Sequence, residues 1–236
     1  MVYERSSVIE EGKLFLFDKP LYWTAFDLVN KIRIMIKSTL GLKNIKVGHA
    51  GTLDPLASGL MIICTGKATR KIEEYRDLDK EYVAGIYLGA TTPSFDLETE
   101  VDKRFSIDHI TDALVMDVLS RFLGEQYQVP PLHSAKMING KRAYEYARKG
   151  LNRELAPVKV VFRELELLSI ELPVVRIRMV CSKGTYVRSF ARDFGLALGS
   201  GAYLSSLVRT SIGNYRLKNA CSLDDFKNFL EDLKQI

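Results

Sequence analysis

Residues 48–60 have the sequence GHAGTLDPLASGL, in which Asp54 is the single carboxylate. Pro55 disfavours the helical region at the residue before it, so Asp54 is expected to have an extended backbone. Three glycines in the stretch allow tight turns and the close approach of another backbone, namely Gly48, Gly51 and Gly59. We therefore predict a loop that holds one carboxylate at a fixed position, accessible to a bulky ligand.

A single positioned carboxylate has two interpretations. It can act as a covalent nucleophile toward a sugar or an electrophilic ring, without any cofactor. Alternatively, the Leu-Asp-Pro sequence is only a turn, in which the Asp54 carboxylate accepts hydrogen bonds from its own backbone. The loop taken alone leaves both interpretations open.

Composition limits the class of protein. The chain has 236 residues, a net charge of +5 and three widely spaced cysteines, which do not indicate a disulfide framework. Residues 1–13 lack the apolar core of a signal peptide, and no apolar run approaches the roughly 20 residues needed to cross a bilayer. We expect a cytoplasmic protein with no membrane segment.

Several common site types are absent from the sequence. The glycine-rich stretch fails the spacing of a phosphate-binding P-loop, and neither G-x-G-x-x-G nor G-x-S-x-G occurs. The three histidines are far apart, and none is spaced from a cysteine as a zinc site requires. We therefore expect neither a cofactor nor a metal.

Hydrophobic periodicity predicts a mixed α/β chain. The predicted strands are 13–20, 59–66, 81–89, 158–170 and 174–181. The predicted helices are one opened by Thr24 with Asp27 as a capping box, one from Ser106 to Leu123, a short one closed by Gly150, one at 185–199, and one starting at Ser222. No linker is evident, so a single domain over 1–236 is expected.

Two segments are rich in basic residues. Residues 174–192 carry five positive charges and no acid, and residues 133–150 carry five against one acid. Tyrosines are interleaved with these charges, a mixture that neutralises phosphates and stacks on bases. Either segment alone is equally typical of a solvated face. Together with one nucleophile they indicate chemistry on a nucleotide, whose base must leave its stack.

Residues 46–70, KVGHAGTLDPLASGLMIICTGKATR, are similar to the signature of the TruB family of pseudouridine synthases. Further segments that resemble the family follow in the same order, at 19–24, 80–96, 129–148, 181–195 and 202–215. The resemblance covers about residues 13–215. It implies an α+β pseudouridine synthase fold, with a central, mostly antiparallel or mixed β-sheet, flanking helices and a catalytic cleft.

The resemblance also implies a reaction. The family converts uridine-55 in the T-loop of tRNA to pseudouridine without cofactor or metal. On that pattern Asp54 is the nucleophile, and the uracil detaches, rotates and is rejoined through carbon. Tyr82 would stack on the flipped base, and Arg188 would pair with Asp54 and keep it ionised.

Further positions match family motifs. His49 would occupy the stack vacated by the flipped base, and Lys19 with Pro20 would support the cleft. The remaining candidates for RNA binding are Gly51, Thr52, Asp96, Lys183, Tyr186 and Arg209. A turn aspartate, a solvated lysine and a core tyrosine are equally reasonable descriptions of Asp96, Lys183 and Tyr186.

The sequence departs from the family pattern at three positions. Tyr22 stands where the family often has glycine, Ala25 where it has serine, and Met137 where a lysine is expected. The change at Tyr22 is expected to affect the backbone beside the cleft. Only 21 residues follow Tyr215, so we expect a catalytic domain with a helical segment at 216–236 and no C-terminal RNA-binding (PUA) domain.

Four functions follow from these observations. The first is a monomeric synthase that acts on the tRNA T-arm without a guide RNA. The second is a tRNA-binding or tRNA-folding module with incidental catalysis. The third is a guide-RNA-dependent enzyme, although that group resembles DPKVTG rather than DPLASG. The fourth, a glycosidase, needs two cooperating carboxylates, and the loop offers one.

Overall fold

The computed structural model describes residues 8–235 except 135, 139, 148, 150 and 152–154. The strands are β1 Leu14–Lys19, β2 Val47–His49, β3 Ala57–Thr65, β4 Lys80–Leu88, β5 Ala90–Thr91, β6 Lys103–Arg104, β7 Gly124–Gln128, β8 Met137–Ile138, β9 Lys141–Arg142, β10 Val158–Glu171, β11 Val174–Cys181, β12 Ala202–Ile212 and β13 Tyr215–Arg216. The α-helices are α1 Ala25–Leu40, α2 Ile72–Asp77, α3 Asp112–Ser120, α4 Ala143–Ala147, α5 Val187–Ala197 and α6 Leu223–Gln235. Short 3-10 helices span Gly66–Lys71 and Leu217–Asn219.

The chain forms two compact units. The first contains Met1–Tyr82 and Val208–Ile236, and the second contains Val83–Leu207. The predicted mixed α/β fold with a mixed central sheet is confirmed. The single domain expected over 1–236 stays a prediction. No helix within the described residues is long and apolar enough to span a membrane.

Strand β3 organises the first unit. It pairs antiparallel with β1 and also with β2, so that Met61 lies opposite Phe17 and Ile63 lies opposite His49. Nearly every side chain of β3 is buried, as the continuous apolar run of its sequence predicts. The loop at 50–56 therefore connects two strands, β2 and β3, that are paired with each other.

Helix α1 begins where its sequence predicts. The Thr24 hydroxyl accepts a hydrogen bond from the Asp27 backbone, and the Asp27 carboxylate accepts one from the Thr24 backbone. Gly41 ends the helix in the left-handed conformation, at φ 72°. Leu28 and Ile32 bury the inner face of the helix.

In the second unit the strand order is β4, β11, β10, β7. Strand β10 pairs antiparallel with β11 and with β7. Alternate side chains of β11 are buried, namely Val175, Ile177 and Met179, as expected for a strand with one face in the core. Helix α5 adds Phe190 and Phe194, whose stacked rings have centroids 5.6 Å apart.

The helix predicted from Ser106 to Leu123 is wrong at both ends. Thr111 is the N-cap of α3 and accepts from the Leu114 backbone at 3.2 Å, while Ser106 accepts from Asp108 in a separate turn. Thr111 forms the cap instead of Ser106 because it stands directly before the helical segment. At the other end, the helix stops at Ser120, before the predicted Leu123, and β7 begins at Gly124. Gly150, predicted to close α4, lies outside the described residues.

The last helix packs its aromatic face on β1. Ser222 and Asp225 form a reciprocal cap, with both backbone nitrogens bonded to the partner side chain. The predicted start at Ser222 is therefore confirmed. Phe226 is buried and its ring centroid lies 5.0 Å from that of Phe15 and 5.3 Å from that of Phe17.

We predict that Phe226→Ala lowers the free energy of unfolding by about 3–5 kcal/mol, because it removes a fully buried ring. Phe229→Ala, on the same helix, should cost clearly less, since Phe229 is only partly buried. Urea denaturation followed by circular dichroism gives both values. Equal losses for the two variants would contradict the packing described here.

Candidate active site

The loop that carries Asp54 is tied to its surroundings by backbone hydrogen bonds. Ala50 donates to Ile62 at 3.0 Å, and Ala57 donates to the Asp54 carbonyl at 3.0 Å. Gly51 has φ 97°, a conformation that favours glycine. Asp54 itself is half-buried. The predicted arrangement, one carboxylate at a fixed position in a tight loop, agrees with this geometry.

Arg209 of β12 holds this loop from beneath. Its guanidinium is 1% exposed, and Nε donates to the Leu60 carbonyl of β3 at 2.7 Å. The other two nitrogens donate to the carbonyls of Thr52 at 3.4 Å and Gly51 at 3.2 Å. The buried Arg209 guanidinium therefore joins β12 to β3 and to the loop that carries Asp54. It is a positioning contact within the protein.

Gly59 allows this close packing. A Cβ atom there would lie 2.4 Å from the Arg209 carbonyl oxygen and 2.7 Å from its nitrogen. Real Cβ atoms essentially never come so near to a backbone, so only glycine fits. The sequence predicted a close backbone approach at this glycine without identifying its partner.

Lys19, at the end of β1, organises the segment beside the loop. The side chain is fully buried, and Nζ donates to the carbonyls of Pro20 at 2.9 Å and Trp23 at 2.6 Å. Burial lowers the pKa of Lys19 to about 8, while the negative charge of Asp54 opposes that shift. Lys19 is thus a cation whose electrostatic environment includes the candidate nucleophile.

Three further candidates belong to the same unit. His49 ends β2, and burial lowers the pKa of its imidazole, so the neutral ring dominates at pH 7. Tyr82 is buried on β4. Thr52 is exposed in the loop, in contrast to its buried neighbour Leu53.

The second unit contains Arg188, in the first turn of α5. Its side chain and that of Asp96 are each 5% exposed, and Arg188 Nε lies 3.5 Å from Asp96 Oδ2. Arg188 Nη1 also donates to the Ser94 carbonyl at 3.3 Å. Asp96 accepts from the Glu98 backbone at 2.9 Å. Asp96 therefore pairs with a buried arginine, a role that sequence reasoning missed because the two segments are far apart in the chain.

The start of α5 is anchored by a residue that the sequence did not indicate. Buried Gln128 accepts a hydrogen bond from the Tyr186 backbone at 2.8 Å, and Ser189 donates to the Val129 carbonyl at 2.8 Å. Tyr186 is half-buried, whereas Lys183 is exposed. Gln128 had no motif or charge pattern that would have identified it.

The candidate residues thus fall into two groups. The first unit holds Lys19, Pro20, His49, Gly51, Thr52, Asp54, Tyr82 and Arg209. The second unit holds Asp96, Lys183, Tyr186 and Arg188. In the part of the chain that the structure describes, no group of three His, Cys, Asp or Glu side chains is arranged to hold a metal ion.

Comparison with known proteins gives consistent results. The family model described as TruB family pseudouridylate synthase (N terminal domain) matches residues 37–187. The protein named tRNA pseudouridine synthase B from Phocaeicola vulgatus is 55% identical over 222 residues, covering 94% of each chain. The protein of the same name from Flavobacterium johnsoniae is 49% identical, covering 94% of this chain and 97% of its own.

Solved structures show the same fold. A Cbf5–Nop10–Gar1 complex contains a chain that matches with a TM-score of 0.71 and 29% identity over 97% of this chain. A structure of an H/ACA RNP bound to a substrate RNA containing 2′-deoxyuridine matches with a TM-score of 0.68 and 27% identity over all of it. This chain spans 56% and 57% of those two chains.

We predict that Arg209→Met lowers the free energy of unfolding by about 2–5 kcal/mol, because it leaves buried carbonyls without a donor. Arg216→Met is the control, since exposed Arg216 makes one hydrogen bond, to the Gly213 carbonyl. That variant should change stability by less than about 0.5 kcal/mol. Urea denaturation measures the free energy of unfolding of both variants. Similar losses of stability would contradict the structural role of the Arg209 hydrogen bonds.

Lys19 should produce a distinctive pH dependence. Between its folded pKa of about 8 and its unfolded pKa of about 10.4, the unfolded chain binds more protons at Lys19 than the folded chain. Its contribution to the free energy of unfolding therefore rises with pH in that window.

The difference in unfolding free energy between wild type and Lys19→Met should grow in favour of wild type from pH 8 to pH 10. It should be flat from pH 6 to pH 7. Denaturant titrations at each pH measure this difference, and a constant value throughout would contradict the buried, depressed lysine.

Proposed function

We propose that this chain, which belongs to the TruB family of pseudouridylate synthases, isomerises uridine-55 in the T-loop of tRNA to pseudouridine. Asp54 is the nucleophile of the proposal. The observation that carries it is a half-buried carboxylate in a loop whose backbone is fixed by Arg209, within the segment most similar to the family. The relatives named tRNA pseudouridine synthase B support tRNA as the substrate.

The proposed reaction needs no cofactor. Asp54 attacks the flipped nucleoside, either at the sugar or at the ring, and the bond between the ribose and the ring nitrogen breaks. The uracil rotates, a ring carbon bonds to the ribose, the bond to Asp54 breaks, and the freed ring nitrogen takes up a proton. The proton on that carbon must then be removed. Tyr82 is proposed to stack on the uracil and to assist that final step.

Positive charge accompanies Asp54 within the first unit. Lys19 is mostly protonated at pH 7, since its pKa is about 8, and its charge interacts with that of Asp54. Arg209 contributes a second positive charge within the same unit. We propose that these charges help to orient the Asp54 carboxylate.

Arg188 is the third proposed catalytic residue. The Asp96 carboxylate and the Ser94 carbonyl hold its guanidinium in one orientation. An arginine stays protonated throughout the physiological range, so it is suited to stabilise a carboxylate nucleophile. Because Asp96 is buried and paired, we propose that it orients Arg188.

The remaining candidates are proposed to contact RNA. His49 carries a neutral ring that can enter the space vacated by a flipped base without a charge penalty. Lys183 and Thr52 are exposed, and we propose that they contact phosphate oxygens. We propose that the protein acts as a monomer in the cytoplasm.

A guide-RNA-dependent reaction is the nearest alternative, since the similar solved chains include a Cbf5 complex. The nucleophile loop of this chain has the sequence DPLASG rather than DPKVTG. The curated relatives cover almost the whole chain and are named as tRNA enzymes. We therefore propose action on tRNA without a guide.

A tRNA-binding or tRNA-folding role is the second alternative. It is compatible with catalysis, because binding surfaces and nucleophile are separate features. A binding or folding role would persist when the Asp54 carboxylate is removed, whereas isomerisation would be lost.

We predict that Asp54→Asn lowers the rate of pseudouridine formation by at least about 1,000-fold, because it removes the nucleophile. The substrate is an unmodified tRNA transcript, with no other protein, guide RNA or metal added beyond buffer salts. Because the isomerisation leaves the mass unchanged, pseudouridine is first labelled with a carbodiimide, and mass spectrometry of nuclease digests then measures the product. Asp232→Asn, an exposed carboxylate of α6, should retain the wild-type rate.

A transcript with cytidine in place of uridine-55 tests the position. Wild-type protein should form no pseudouridine in it. Product at another uridine would contradict the proposed position and leave the reaction itself intact. Wild-type activity in Asp54→Asn would contradict the nucleophile.

A further inference from the structure

Tyr22 has an unusual backbone conformation. Its φ of 67° lies in the left-handed region, which costs a residue with a side chain roughly 1–2 kcal/mol. Among the described residues only Tyr22 and Phe95 combine a side chain with a positive φ. Such outliers persist where the surrounding structure enforces them, and they concentrate at functional sites.

Contacts inside the protein account for Phe95 but not for Tyr22. The Arg192 guanidinium lies 4.8 Å from the centroid of the Phe95 ring, a favourable cation–π distance. The Tyr22 side chain is 73% exposed, and its phenol makes no hydrogen bond with the described residues. The strained backbone of Tyr22 thus carries an aromatic ring that faces solvent.

The ring is nevertheless joined rigidly to the nucleophile loop. The Tyr22 backbone nitrogen donates to the Pro55 carbonyl at 2.7 Å, one residue after Asp54. Lys19 binds the carbonyls on either side, at Pro20 and Trp23. The backbone that carries the ring therefore keeps its position relative to the candidate nucleophile.

We propose that the Tyr22 ring is a stacking site for an unpaired nucleobase of the substrate RNA, next to the nucleotide on which Asp54 acts. The inference rests on the proposed function, because flipping one base leaves its neighbours without a stacking partner. An exposed tyrosine face receives any base, and such stacking contributes about 1–3 kcal/mol.

The charges near Tyr22 favour a base over a phosphate. Two exposed carboxylates, Asp18 and Asp27, flank the segment in sequence. Phosphate oxygens would be repelled there, whereas an uncharged base would not. Exposed Leu21 and Phe26 add apolar surface on either side of Tyr22 in the chain.

Two substitutions separate the ring from the backbone. Tyr22→Gly removes the ring and suits the positive φ, so its melting temperature should equal or exceed that of wild type. Tyr22→Phe keeps the ring face. We expect Tyr22→Gly to raise the Kd for a tRNA transcript by about 5–100-fold and Tyr22→Phe to change it less than about twofold.

Tyr127→Ala is the matched control, because Tyr127 is equally exposed, on β7. It should leave the Kd unchanged. Filter binding with the unmodified transcript measures Kd, and the same preparations are assayed for pseudouridine. An unchanged Kd in Tyr22→Gly, or equal losses in the Gly and Phe variants, would overturn the stacking site.

Abasic substitution in the T-loop identifies the base. At one position beside the target, removing the base should weaken binding to wild type but not to Tyr22→Gly. Absence of such coupling at every T-loop position would overturn the proposal. A wild-type protein that forms no pseudouridine would instead contradict the proposed function, so the two failures are distinguishable.

Discussion

The buried guanidinium of Arg209 is the constraint on which the candidate site depends. A charge removed from water must be hydrogen-bonded, and each nitrogen of the guanidinium donates to one of the carbonyls of Gly51, Thr52 and Leu60. The loop cannot shift without leaving the guanidinium unsatisfied. The same packing explains why Gly59 has no side chain. These hydrogen bonds restrict the position of Asp54, since it lies in the chain between Thr52 and Leu60, which both accept from Arg209.

Buried cations organise the second unit in a similar way. The Asp96 carboxylate and the Ser94 carbonyl hold the Arg188 guanidinium. Both acceptors lie in a loop in which the Ser94 and Thr99 hydroxyls are hydrogen-bonded to each other. Removing either charge would strand the other in a desolvated environment, which is strongly destabilising. Such pairs give little net stability, but they restrict orientation. A reaction that depends on the placement of one carboxylate and one base benefits from that restriction.

The sequence predicted what depends on neighbouring residues. The caps at Thr24 with Asp27 and at Ser222 with Asp225 are patterns of four residues, and the alternation of β11 is a pattern of eight. The failure at Ser106 also has a local cause, because Thr111 offered a competing cap. The role of Arg209 could not be predicted, because its acceptor at Leu60 is 149 residues away. Family resemblance identified Arg209 as important, and only the fold showed that its contacts are carbonyls.

Tyr22 shows how a departure from a family pattern acquires meaning from structure. The resemblance places glycine at this position, and the observed φ of 67° is the conformation that glycine adopts most easily. The chain therefore keeps a glycine-like backbone and adds a large ring to it at a cost in stability. Among the described residues, little packs against the ring to recover that cost, because Tyr22 is 73% exposed. Since the backbone is bonded to the residue after Asp54, a gain that appears only when RNA is bound is the physical explanation that fits both the strain and the exposure.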